Sequence, residues 1–207
     1  MPKWTLCLRD KDFGVKRVAV YCGSASPADP VYIDAARDVG RALAERGIGV
    51  VYGGGRLGLM GAVADAALNA GGEVIGVIPT ALVDAEVAHR GCTELLTVAD
   101  MHERKRLFTD LSDGFISLPG GVGTMDELWE AISWAQLGYH AKPVGVLNVN
   151  GFYDHLIAFN RHMIDVGFVR PQHAGIMLVD DNLGGLLDQM ADYAPHQTIF
   201  AMKAANL

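Results

Sequence analysis

The strongest constraint on the fold is an alternation. From Lys16 onward, short β-branched runs recur between longer stretches with helical spacing. The runs cover residues 17–22 (RVAVYC), 48–52 (IGVVY), 73–78 (EVIGVI), 94–98 (ELLTV), 114–118 (GFISL) and 143–149 (PVGVLNV). A strand with one wet face alternates polar and apolar residues. These runs are apolar almost throughout, the pattern of strands buried on both faces of a parallel sheet. The helical stretches cover 30–46, 59–70, 101–112, 124–137, 154–166 and 183–193. Gly47 and the Gly71-Gly72 pair stand where helices end, at positions suited to a left-handed backbone. Repeated strand–helix–strand units predict an α/β fold: a doubly wound parallel sheet flanked by helices, joined by right-handed crossovers.

The chain has 207 residues, half of them hydrophobic and a fifth charged, which suits one domain with a sizeable core. Residues 16–194 form that domain, 1–15 an N-terminal arm and 195–207 a C-terminal tail. The net charge of −7, without blocks of Lys or Arg, disfavours duplex nucleic acid and anionic membrane surfaces as partners. No apolar stretch is long enough to span a bilayer, and the first residues lack the apolar core of a secretory signal. Cys7, Cys22 and Cys92 are odd in number and form no CxxC pair, which fits a reducing cytoplasm. No HExxH or facial-triad spacing occurs among the seven histidines, so no metal is expected.

In open parallel sheets ligands bind beyond the carboxyl ends of the strands. Three loops there stand out, and they absorb much of the glycine excess, 25 residues in 207. The first, Cys22-Gly23-Ser24-Ala25-Ser26-Pro27, offers amides and two hydroxyls to a phosphate or ribose. A purely steric Gly-Ser turn accounts for it equally well. The second, GGGRLGLMG at 53–61, sets three glycines in a row before a helix, a costly choice unless the backbone approaches something closely. Its Gly54 and Gly55 are candidate binding positions. Arg56 reads either as a phosphate contact or as a solvated cation. The loop matches a dinucleotide fingerprint only loosely and follows the wrong strand, which disfavours a nicotinamide oxidoreductase.

The third loop, PGGVGTMDE at 119–127, runs straight from a buried strand into a helix. Its glycines free consecutive amides, Thr124 is placed to cap, and the helix dipole adds positive potential. Together these form an anion cradle that needs no lysine. Asp126 and Glu127 fall in the first helical turn, where an acid complements the dipole or acts on the rest of a nucleotide. One more cluster, Met101-His102-Glu103-Arg104-Lys105-Arg106, cannot aim all its cations one way, because successive helical residues diverge by about 100 degrees. One or two can reach the strand ends while the rest stay solvated.

PGGVGTMDE and GGGRLGLMG, with MHERK between them, closely resemble the LOG family. These are cytokinin-activating nucleoside 5′-monophosphate phosphoribohydrolases, long mislabelled lysine decarboxylases. The resemblance covers about residues 17–192 and implies a Rossmann-like domain acting without a cofactor as a homodimer, its active site near the subunit interface. It implies that Arg104 and Glu127 are the catalytic pair. The amides of Gly120, Gly121, Val122, Gly123 and Thr124 would hold the 5′-phosphate. Lys105 would contact substrate together with Arg104, and Glu86 would be a substrate-contacting acid. Gly23, Ser24, Gly54 and Gly55 would line the same nucleotide. Asp126 replaces a glutamate usual in plant members and bears on ribose contacts.

The implied reaction is hydrolysis of the N-ribosidic bond of a purine nucleoside 5′-monophosphate, AMP or an N6-prenylated AMP, to free base and ribose 5-phosphate. The competing reading is a non-catalytic carrier of a nucleotide or of molybdenum cofactor. A pyridoxal-phosphate decarboxylase fits poorly: of six lysines only Lys105 lies near the candidate loops.

Overall fold

The computed structural model describes residues 15–83 and 87–198. Strands β1 (Arg17–Tyr21), β2 (Gly49–Tyr52), β3 (Val74–Pro79), β4 (Glu94–Val98), β5 (Gly114–Ser117), β6 (Val144–Leu147) and β7 (Met177–Asp180) form one sheet. Helices α1 (Pro30–Glu45), α2 (Gly58–Asn69), α3 (Met101–Leu111), α4 (Val122–Leu137) and α5 (Asp154–Asp165) lie between strands, and α6 (Leu183–Ala191) follows β7. Every strand pairing is parallel and the order is β4-β3-β2-β1-β5-β6-β7. The chain winds outward from β1 to β4, then crosses back to the other side of β1 at β5. The doubly wound α/β fold expected from the sequence is the fold observed.

The strands bury both faces. Val18, Val20 and Cys22 pack under α1, α2 and α6, while Ala19 and Tyr21 pack under α3, α4 and α5. Helix starts carry local signals. Asp29 accepts from the Val31 amide at α1, Asp100 from the His102 and Glu103 amides at α3, and Asn182 from the Gly185 amide at α6. Gly47 and Gly71 adopt φ of 69° and 78°, the left-handed exits that their positions predicted.

Two findings differ from expectation. β7 was not anticipated; its four residues form a short edge strand, three of them only half-buried, so its apolar signal is weak. Helix α4 begins at Val122 rather than Thr124, with Gly121 as its N-cap. That two-residue shift changes the role of several side chains at the site. The arm at 1–14 and residues 199–207 of the tail lie outside the described residues, whereas Gln197 is tied to the body through its carbonyl, which accepts from His173 Nε2 at 2.9 Å. None of the helices among the described residues is long and apolar enough to cross a membrane.

Candidate active site

Because β1 has β2 on one side and β5 on the other, the loops that follow these three strands lie side by side at the point where the winding reverses. The three loops singled out in the sequence are these loops. They are stitched together by Gly23. Its amide donates to the Pro119 carbonyl at 3.1 Å, and its carbonyl accepts from the Leu59 and Met60 amides at 3.0 and 3.3 Å.

That second contact occupies the start of the helix that the GGGRLGLMG loop opens. An α-helix leaves its first amides without intrahelical acceptors. At α2 the Gly23 carbonyl takes two of them, so this N-terminus is sealed by protein. The glycines there answer to packing. Gly58, at φ 59°, would place a β-carbon 2.3 Å from the Ala25 carbonyl oxygen, and at Gly61 one would lie 2.0 Å from that of Arg56. Gly54 and Gly55 are buried; Gly54, at φ 75°, packs on Ile78 and Leu95 and accepts from the His89 amide, and Gly55 bridges Ala88. Arg56 is exposed, and its amide donates to the Val87 carbonyl.

The PGGVGT loop is built the other way. Gly120 is its packing glycine: a β-carbon there would sit 2.1 Å from Thr124 Oγ1 and 2.8 Å from the Gly23 amide nitrogen. Thr124 does not cap the helix. It is the third residue of α4, buried against Gly120, and the N-cap Gly121 makes no side-chain capping bond. Around Gly121 and Gly123 an added β-carbon would meet nothing within 4 Å, and Val122 is 87% exposed. Residues 121–123 are thus exposed where a 16-residue helix begins, the end at which a helix leaves its amides without intrahelical acceptors and its dipole is positive. Tyr153, buried on the neighbouring helix layer, donates its hydroxyl to the Leu118 carbonyl at 2.6 Å and fixes the strand end from which the loop departs.

Since α4 starts at Val122, Asp126 and Glu127 fall in its second turn and not its first. Asp126 is exposed and turned toward α3, where Lys105 Nζ lies 3.2 Å from its Oδ2 and 2.7 Å from Glu130 Oε2. Burial alone would push the Lys105 ammonium down, but these two bonds outweigh it and hold it above its ordinary value. Glu127 is half-buried and acts on the end of β1. The Tyr21 hydroxyl and Cys22 thiol are pushed up first by burial and then by the Glu127 charge.

Helical phase separates the basic cluster. Arg106 is exposed and Lys105 reaches α4, while Arg104 turns inward with only 4% of its surface exposed. Arg104 Nη2 donates to the Gly53 carbonyl at 2.9 Å, Nη1 lies 3.7 Å from Met101 Sδ, and the guanidinium stands 5.5 Å over the Phe108 ring. Arg104 thus arrives from α3 at the end of β2, and Glu127 from α4 near the end of β1. Ser24 is exposed on the rim with Gly23 beneath it. Glu86 lies outside the described residues. Sequence reasoning missed Gly53, Phe108 and Tyr153. For Phe108 a signal existed, since it stands one helical turn (i,i+4) beyond Arg104. Among the described residues no cluster of three or more His, Cys, Asp or Glu side chains could hold a metal ion.

Residues 60–190 match the family model described as possible lysine decarboxylase. The chain is 48% identical over 180 residues to the probable cytokinin riboside 5′-monophosphate phosphoribohydrolase LOGL9 of Oryza sativa subsp. japonica, covering 87% of this chain and 79% of that one. It is 47% identical over 180 residues, with the same coverage, to the cytokinin riboside 5′-monophosphate phosphoribohydrolase LOG5 of Arabidopsis thaliana. Among solved structures, the molybdenum cofactor carrier protein of Chlamydomonas reinhardtii superposes with a TM-score of 0.62 at 20% identity, covering 85% of this chain and 96% of that one. That likeness speaks for the fold alone. With this identity along most of its length, and with both glycine loops intact, the chain belongs to the LOG family.

Proposed function

We propose that the protein is a hydrolase that cleaves the N-ribosidic bond of an adenine-type nucleoside 5′-monophosphate, giving free base and ribose 5-phosphate. The observation that carries this reading is the contrast at the first turn of α4. Residues 121–123 are exposed there, and the glycine inside the turn, Gly123, is required neither by a left-handed backbone nor by any protein neighbour. Glycine inside a helix costs about 0.5–1 kcal/mol relative to alanine. A phosphate seated against the backbone explains why that cost is retained.

With the 5′-phosphate at the amides of residues 121–124, the sugar extends toward Glu127 and Arg104. N-ribosidic bonds break through a transition state with oxocarbenium character. The Glu127 carboxylate stabilises that positive charge and orients the attacking water. Arg104 orients the substrate and its guanidinium stabilises negative charge on the departing base or the phosphate. Lys105 and Asp126, bound to each other, act at the rim.

Two names attached to similar proteins are weighed by the same geometry. A Schiff-base lysine must be uncharged to attack. Lys105 is instead held charged by two carboxylates, and Lys142 donates to the Ser112 carbonyl at 2.6 Å, just before β5 begins and thus at the opposite end of the sheet. This argues against lysine decarboxylation. The carrier reading is disfavoured because a protein that only holds a nucleotide has little use for an acid beside a phosphate.

We further propose that AMP is among the substrates, that the protein works in the cytoplasm, and that it acts as a homodimer. The half-buried Trp129 and Trp134 on α4, with Tyr139 70% exposed just beyond, are compatible with a partner surface there. Incubation with AMP, GMP, CMP and N6-prenylated AMP, followed by measurement of free base, tests the reaction. Release of adenine or prenyladenine supports it; tight binding of AMP without release of base supports the carrier.

A further inference from the structure

Residue 53 is a glycine for which the backbone gives no reason. Its φ is not in the left-handed region, unlike that of Gly54 beside it. The reason lies in α3. A β-carbon at 53 would stand 2.2 Å from Arg104 Nη2, 2.9 Å from Met60 Sδ and 3.4 Å from Arg104 Cζ. The missing side chain is the space the guanidinium fills, and the residue that makes the space also supplies the acceptor, since the Gly53 carbonyl receives Nη2 at 2.9 Å. Gly53 follows directly on β2, whose Tyr52 is paired with Val20 on one side and Gly76 on the other, so this acceptor lies one residue beyond a strand held on both sides.

The guanidinium also stands over Phe108, which is 1% exposed, its ring 5.5 Å from Arg104 Cζ and itself packed against Tyr21 at 5.6 Å. The guanidinium therefore touches a backbone carbonyl just beyond β2 and stands over a buried aromatic ring.

We infer that Gly53 is a positioning residue for Arg104, with Phe108 as the second wall of the same seat. The first glycine of the GGG run thus serves the reaction through the arginine and not by touching the nucleotide. This rests on the reading of Arg104 as a catalytic group. A cation that stabilises developing charge is effective only when held in place before the charge appears. Displacement of such a group by about 1 Å can cost a hundredfold in rate. The seat therefore acts on kcat more than on KM.

The test is a double-mutant cycle on the 5′-monophosphate that the unmodified protein hydrolyses fastest. Gly53→Ala is expected to lower kcat about 100-fold with KM changed less than about threefold. In an Arg104→Ala background the same change should alter kcat by less than about twofold, since nothing remains to be seated. Guanidinium ion added to Arg104→Ala should restore part of the rate. It should fail to do so in the double variant, where the added methyl group fills the seat. Equal losses from Gly53→Ala in both backgrounds, or rescue of the double variant, would overturn the seat while leaving Arg104 its role. An Arg104→Ala enzyme as fast as the parent would overturn the assignment of Arg104 and the seat with it. If Gly53→Ala does not fold, Phe108→Leu takes its place in the cycle, with an expected loss of about tenfold that likewise vanishes without Arg104.

Discussion

Two glycine-rich loops stand side by side in this molecule, and each leads from a parallel strand into a helix. In sequence they look alike. In the structure the loop at 53–61 is filled by its own protein: its helix start is capped by the Gly23 carbonyl, and β-carbons at Gly53, Gly58 and Gly61 would collide within 2.0 to 2.3 Å. The loop at 119–127 keeps one such packing glycine, Gly120, and leaves Gly121 and Gly123 facing nothing. Glycine density alone does not mark a binding loop. What marks it is a glycine that the unliganded protein has no use for.

The contrast can be broken at several points. The largest effect is expected at the acid that only the open loop carries. Glu127→Gln should leave AMP binding almost intact and cut turnover by about 10²- to 10⁴-fold; calorimetry and initial rates measured on one preparation read both. Turnover near that of the parent would remove Glu127 from the chemistry. Next comes the sealed loop. Gly58→Ala meets a backbone oxygen at 2.3 Å from a left-handed φ of 59°, and should cost about 3 kcal/mol in denaturant unfolding.

A smaller effect is expected at the mouth of the open loop. Gly121→Val should weaken nucleotide binding about 100-fold, while unfolding shifts by about 1 kcal/mol at most. Unchanged affinity would make the loop structural. The finest test is Gly123→Ala. Alanine is the better helix former, so the unliganded protein should gain about 0.5–1 kcal/mol, while its nucleotide affinity falls. Thermal melts with and without AMP separate the two: the variant should melt higher alone and gain less from ligand.

The sheet was largely legible because its runs are apolar on both faces and its helices exit at Gly47 and Gly71, signals each carried by a few adjacent residues. β7 was not, since an edge strand of four residues, three of them half-covered, carries little pattern. At the site, sequence revealed which loops matter but not how they divide the work. That division is set by contacts across long stretches of chain, such as Gly23 with Leu59 and Arg104 with Gly53. The misplacement of Thr124 has the same origin. A threonine after glycines is a fair candidate for a cap, but its side chain is claimed by Gly120 and the helix starts earlier. The MHERKR cluster yielded more, because helical phase alone predicts that its neighbouring cations point apart.

Gly23 has one further implication. Through its amide it holds the strand end before the open loop, and through its carbonyl the helix start after the sealed one. One residue thereby ties three segments distant in sequence. Anyone transplanting the nucleotide grip into another scaffold would have to move all three as one cassette, since a lone graft would arrive without the neighbours that give it shape.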